Sequence, residues 1–218
     1  MSGSSDLHLI IANKNYSSWS FRPWLAMAAG GIDFRETVVP FDEPNHNRHF
    51  LEFSPSKKVP VLQHGDLTLW ESLAIMEYVA DLHPEAGLWP DDVVERGKAR
   101  AVSHEMHGGF SALRGECPMN MRRKISEIAV SDAVRADVAR IETVWAECLE
   151  ASGGPFLFGK FSNADAMYAP VVNRFEVYAL SSAPHVEAYS KTIKALPAWQ
   201  RWDEASRAEP WVVEEEEV

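Results

Sequence analysis

Hydrophobic and polar positions follow two different periods along this chain, and the change from one to the other divides it. "LHLIIA" (residues 7–12) is a short β-rich run, and from residue 20 to 29 the apolar side chains fall at helical spacing until "GG". That predicts a strand followed by a helix with a glycine at its C-terminal end. "FRETVVPF" (residues 34–41) predicts a second strand and "PNHNRHFLEF" a short helix. "VPVLQHGDLTLW" holds two short β-rich runs around Gly65 and Asp66, the signature of a hairpin. Ile75, Val79 and Leu82 then form one helical stripe, with Ser72 in the position of an N-cap. The order is β-α-β-α-β-β-α. Its first βαβ passage implies a parallel pair, and the hairpin adds antiparallel strands.

"HPEAGLWPDD" (residues 83–92) gathers prolines, a glycine and acids, and no strand pattern of similar quality follows it. The chain therefore divides into an α/β domain over residues 1–83, a linker over 84–92, and an all-α domain over 93–218 that ends in an acidic tail. Val134, Val138, Ile141, Trp145 and Leu149 recur at helical spacing, and helices are also predicted over 95–113, 163–177 and 198–208. Within "FSNADAMYAP", Ser162 and Asp165 stand at the two positions of an acidic capping box. Pro170 falls inside that helix, where it removes a hydrogen bond.

Composition narrows the function classes. With 218 residues, 46% of them hydrophobic, the chain can bury a core without disulfide staples. The net charge of -11 argues against a nucleic-acid backbone as partner, and the closing "EEEE" reads as a solvated, frayed end. No apolar run has the length of a membrane span, and "MSGSSD" lacks the features of a signal peptide. Cys117 and Cys148 form no CxxC and read as small buried hydrophobes. Together these features point to a cytoplasmic protein. Two histidines in "HEMH" (residues 104–107) lack the HExxH spacing and a third ligand, so no metal is expected.

Three pieces of the first domain can converge on one chemistry. "NKNYSSWSFR" places Tyr16, Ser17 and Ser18 at a helix N-terminus after a strand, where free N–H groups and the helix dipole favour an anion. "KKVP" (residues 57–60) puts a proline at a strand opening, and "WES" (residues 70–72) sets a carboxylate beside a serine. In this order, "SSWSFR", "VPVL" and "ESLAI", with "FSNADAMYAP" in the second domain, resemble the glutathione-transferase superfamily over nearly the whole chain.

The resemblance implies a thioredoxin-like N-terminal domain and a helical-bundle C-terminal domain. It also implies glutathione as co-substrate and a homodimer. Val59, before a Pro60 expected to be cis, would exchange main-chain hydrogen bonds with the cysteinyl unit. Glu71 would take the γ-glutamyl ammonium, and Ser72 with its helix the neighbouring carboxylate. Arg48, His49, Lys57 and Lys58 are the candidate cations for the glycyl carboxylate.

Ser17, five residues before Arg22, occupies the slot resembling the catalytic residue of the zeta, tau and omega classes, whereas theta-like spacing selects Ser18. Lowering a thiol pKa of roughly 8.5 by about two units stabilises the thiolate by about 2.7 kcal/mol, a load that a hydroxyl and a helix dipole can share. A serine cannot form a mixed disulfide, which favours conjugation over thiol exchange. Met106, Phe110 and Leu113 are candidates to line the site of a small apolar electrophile.

The motif is most similar to the zeta class, which has "SSCSWR". Trp19 replaces that cysteine and bears on maleylacetoacetate isomerisation. Two alternatives stand beside a transferase: a glutathione-dependent isomerase or dehalogenase, and a non-catalytic interaction module of the same architecture.

Overall fold

In a computed structural model of the chain, residues 6–42 and 47–218 are described. β1 (Leu7–Ile11) is buried along its length except at His8, as a central strand must be. It pairs in parallel with β2 (Arg35–Val38), His8 opposite Arg35, and antiparallel with β3 (Val61–His64), Leu9 opposite Leu62. β4 (Leu67–Trp70) closes the hairpin on β3, giving the order β2-β1-β3-β4. Gly65 takes φ +57 in the turn, a conformation that costs glycine little. The parallel β1–β2 pair needs a crossover, and α1 (Ser18–Ala29) supplies it. β2 is shorter than the 34–41 stretch expected: after Val39 donates to Ile11 O, Pro40 has no N–H to extend the ladder.

α2 (Ser72–Leu82) buries Leu73, Ile75, Met76 and Val79. The cap differs from expectation. Glu71 is the N-cap residue and Ser72 the first helical residue, so Ser72 is not the cap. Of the short helix expected before it, residues 44–46 lie outside the described residues, and the rest holds a 3-10 turn over Arg48–Glu52.

The remainder is helical: α3 (Val93–Gly108), α4 (Ser111–Glu116), α5 (Asp132–Ser152), α6 (Asn163–Val177), α7 (Pro184–Lys194) and α8 (Pro197–Ala208). The single helix expected over 95–113 is broken. Gly109 is extended, a Cβ on it would lie 2.6 Å from Glu105 O, and Phe110 turns to φ +55. α7 is a helix that the periodicity does not predict. It starts on Pro184 and buries Val186, Tyr189 and Ile193. α6 is buried on nearly every side and runs through Pro170 between α1 and α3. The capping box is present, with Asp165 accepting from the Ser162 N–H at 2.9 Å.

Trp199 and Trp202 of α8 anchor the seam between the α/β and helical parts. Trp202 stacks on Phe21 at 4.7 Å and donates to Lys14 O at 3.0 Å. Cys117 is buried and Cys148 half-buried, and burial pushes both thiols up to about 11. They are protonated packing groups. No helix among the described residues is long and apolar enough to cross a membrane.

Candidate active site

The N-terminus of α1 opens onto a cavity of about 340 Å³ lined by Tyr16, Ser17, Ser18, Lys57, Lys58 and Val59, with Arg114, Arg174 and Glu216 from the helical part. A second cavity of about 240 Å³ adjoins it, lined by Pro60, Glu71, Ser72 and His107. The two share Trp19, Lys58, Val59 and Arg114, so they form one cleft pinched in the middle. Larger hollows, of about 480 Å³ against α6 and α7 and about 490 Å³ beside Trp89, gather no comparable set of reactive side chains.

Each wall follows from local sequence. Ser17 is the N-cap residue of α1 by position, but its hydroxyl makes no capping bond and instead donates to Ser20 Oγ at 2.7 Å. Ser20 Oγ also accepts the Ala12 N–H at 3.2 Å and so ties the helix start to the strand end. Ser18 Oγ accepts from Arg174 Nη2 at 3.4 Å, leaving its own proton free to point into the cavity. The Tyr16 hydroxyl is engaged elsewhere, donating to Glu217 and accepting from Arg122, and burial raises its pKa. The Val59–Pro60 peptide is cis. Glu71 is held at φ +73, ψ 122, with its carboxylate 3.4 Å from His107 Nε2. The Ser72 hydroxyl is buried and meets no partner among the described residues.

Not every candidate reaches the cleft. His49 Nε2 donates to Pro40 O at 2.8 Å, and neither His49 nor Arg48 lines either cavity, whereas Lys57 and Lys58 do. Met106, Phe110 and Leu113 are core residues and do not line the cleft. The acidic end, expected to be solvated, lies against the first cavity through Glu216. No group of three metal-ligating side chains occurs among the described residues.

The feature beyond the sequence motifs is an arginine cluster. Arg22 is 0% exposed, with its guanidinium 4.1 Å from the Trp19 ring centroid and Nε donating to Met167 O at 2.9 Å. Arg114 approaches the same ring at 5.2 Å. Arg174, 3% exposed, donates through Nε to Cys117 O at 2.8 Å. Among the described residues, Arg22 Nη2, Arg114 Nε and Arg174 Nη1 meet no hydrogen-bond partner. Desolvation and mutual repulsion hold Arg22 well below the usual arginine range. Burial brings Arg174 down to about 10, still charged at neutral pH. Cations with unspent donors away from water are costly, and an anion in the cleft would relieve Arg114 and Arg174, which line it. Sequence reasoning missed Arg174. Its one signal was a charged residue inside the buried run "VVNRFEV".

Comparison with known proteins gives this geometry a family. The glutathione S-transferase N-terminal domain family matches residues 16–82, and the C-terminal domain family residues 128–205. Rat maleylacetoacetate isomerase is 28% identical over 194 residues, covering 84% of this chain and 87% of that protein. A probable maleylacetoacetate isomerase of Caenorhabditis elegans is 27% identical over 187 residues, with the same coverage of 84% and 87%. Among solved structures, a glutathione transferase homologue from Burkholderia with bound glutathione superposes with a TM-score of 0.71 at 21% identity, covering 93% of this chain and 98% of that one. Ure2p in complex with glutathione superposes with a TM-score of 0.69 at 21% identity, covering 92% and 100%. The chain belongs to the glutathione S-transferase superfamily, with a thioredoxin-like domain followed by a helical one.

Proposed function

We propose that this chain is a cytoplasmic, homodimeric enzyme that binds glutathione along the cleft, holds its sulfur as thiolate, and adds it to a small electrophile carrying a carboxylate. One observation carries the reading: Ser17, Ser18, Val59, Glu71 and Ser72 line a single cleft whose far wall is Arg114 and Arg174. Glutathione would lie with its cysteinyl amide on Val59, its γ-glutamyl end at Glu71 and Ser72, and its glycyl carboxylate near Lys57 and Lys58. The sulfur then falls at the start of α1, where the Ser17 hydroxyl leaves Ser20 and donates to the thiolate. Arg174, in contact with Ser18, adds positive charge on the same side. The apolar electrophile suggested by Met106, Phe110 and Leu113 gives way to an anionic one, because those side chains are spent in the core.

Two chemistries use the same first step. In a transferase the carbon–sulfur bond stays and glutathione is consumed. In an isomerase the thiolate adds to a conjugated double bond, the bond between the former alkene carbons rotates, and expulsion of the thiolate restores both the alkene and glutathione. The relatives named maleylacetoacetate isomerase favour keeping the second, and the two arginines suit an acidic substrate. Trp19 in place of the zeta-motif cysteine favours the first.

Calorimetry with glutathione tests binding, and product analysis separates the two outcomes. Ser17→Ala is expected to raise the bound thiol's pKa by about one to two units and to lower kcat about 10- to 100-fold, with the KM for glutathione little changed. A thiolate absorbance titration reads the shift. If Ser18→Ala has that effect and Ser17→Ala does not, the role moves to Ser18. If neither does, serine activation is wrong.

A further inference from the structure

The densest acidic run in the chain is tethered to the fold, although Glu214, Glu215 and Glu217 stay exposed. Beyond α8, the Glu209 carboxylate accepts the backbone N–H groups of Lys14 at 2.7 Å and Asn15 at 3.1 Å. Arg122 donates to the carbonyls of Glu209 and Trp211, both at 2.7 Å, and to the Tyr16 hydroxyl at 2.9 Å. Tyr16 donates to Glu217, and the Val213 side chain is buried. These anchors bring Glu216 onto the wall of the cavity that holds Ser17, Ser18, Arg114 and Arg174. Its charge acts on Arg174 and offsets part of the cost of burying that guanidinium. Arg174 Nη1 still lacks a partner among the described residues, so the guanidinium is not fully satisfied with Glu216 in place.

We propose that residues 213–217 form an acidic strap in which Glu216 stands in the resting enzyme as an internal surrogate for the electrophile's carboxylate at Arg174. The strap then acts as a competitor built into the fold. An incoming carboxylate displaces Glu216 and inherits Arg174, whereas a neutral molecule of the same shape would leave that cation uncompensated. The site thereby selects for charge before the sulfur is engaged. This inference rests on the reading of the cleft as the electrophile site.

The test uses benzoate and benzamide, a charged and a neutral probe of nearly equal shape, titrated calorimetrically into the full chain. Glu216→Gln is expected to bind benzoate about tenfold more tightly than the unchanged protein, because a competing charge is removed, while benzamide binds both alike. Glu215→Gln, a change on an exposed neighbour, should leave both affinities as they were. Benzoate binding that is equal with and without the Glu216 charge would overturn the strap, as would an equal gain for benzamide. Glutathione titrated into the same samples keeps the two ideas apart. Its failure to bind would remove the glutathione reading, while the benzoate–benzamide difference alone decides the strap.

Discussion

Glu71 sits in a backbone region that residues with a Cβ rarely adopt, φ +73 and ψ 122, and such a conformation costs about 1–3 kcal/mol. The surrounding fold imposes it, because the residue must leave β4 and start α2 while keeping its carboxylate on the cleft wall. Glu71→Gly relieves the conflict, offset in part by the extra freedom of an unfolded glycine. It is therefore expected to melt at or above the temperature of the unchanged protein while losing about tenfold or more in glutathione affinity. Glu71→Gln keeps the strain and should lose affinity alone, since a charged hydrogen bond is worth about 1.5–3 kcal/mol. Thermal unfolding paired with calorimetry reads both, and a glycine variant that is destabilised yet binds undiminished would refute the account. Ser17, Val59 and Glu71 were legible as positions on the cleft wall because each stands at a strand end or helix start. Arg174, Arg114 and His107 were not, since each becomes part of the cleft only when helices distant in sequence pack over α1.

At the level of elements, α6 depends on one buried carboxylate. Asp165 accepts from the Leu157 N–H at 3.0 Å, from the Ser162 N–H at 2.9 Å and from its hydroxyl at 3.1 Å, and from the Tyr189 hydroxyl at 3.0 Å. Burial nevertheless pushes the carboxyl up to about 6, against these donors. Since the folded value lies above the unfolded 3.8, the folded chain takes up a proton between about pH 6 and 4 that the unfolded chain does not yet hold. This group alone makes stability rise as pH falls through that window, by at most about 3 kcal/mol, and its contribution is lost as pH rises through 6. Asp165→Asn is expected to destabilise by about 2–4 kcal/mol at neutral pH and to remove that slope. Denaturant unfolding at a series of pH values reads the difference between the two proteins, and parallel pH profiles would refute the assignment. The capping box was visible in the sequence because a box is a local pattern. The break after α3 was also encoded, in "HGGF", but helical periodicity on both sides masked it. α7 was hidden because its apolar face is only Val186, Tyr189 and Ile193, too sparse to stand out from a polar stretch.

Over the whole molecule, the two parts share one buried seam. Phe21 and Trp24 of α1 meet Trp202 at 4.7 and 5.1 Å, Arg22 reaches Met167 O, and Asn15 donates to Asn120 at 3.0 Å. That seam explains why a chain with an overall charge of -11 carries a cationic cleft: its arginines are fixed between the two parts, while most of its acids face outward. Charge totals argue against a nucleic-acid backbone but could not reveal a local field of the opposite sign. The seam leaves another surface uncovered. β4 is one of the two outer strands of the sheet, and Leu67 and Trp70 on it are 40% and 43% exposed, with Leu51 of the 3-10 turn at 52%. An outer strand carrying large apolar side chains is a pairing surface unless something covers it, and a second copy of the chain is the cover proposed here. Sedimentation at micromolar concentration should therefore report a dimer. Replacing Leu67 and Trp70 together by lysine, exposed changes that leave the core intact, should report a folded monomer with unaltered circular dichroism. If the unchanged protein already sediments as a monomer, or the lysine pair leaves the dimer intact, this face is not the interface.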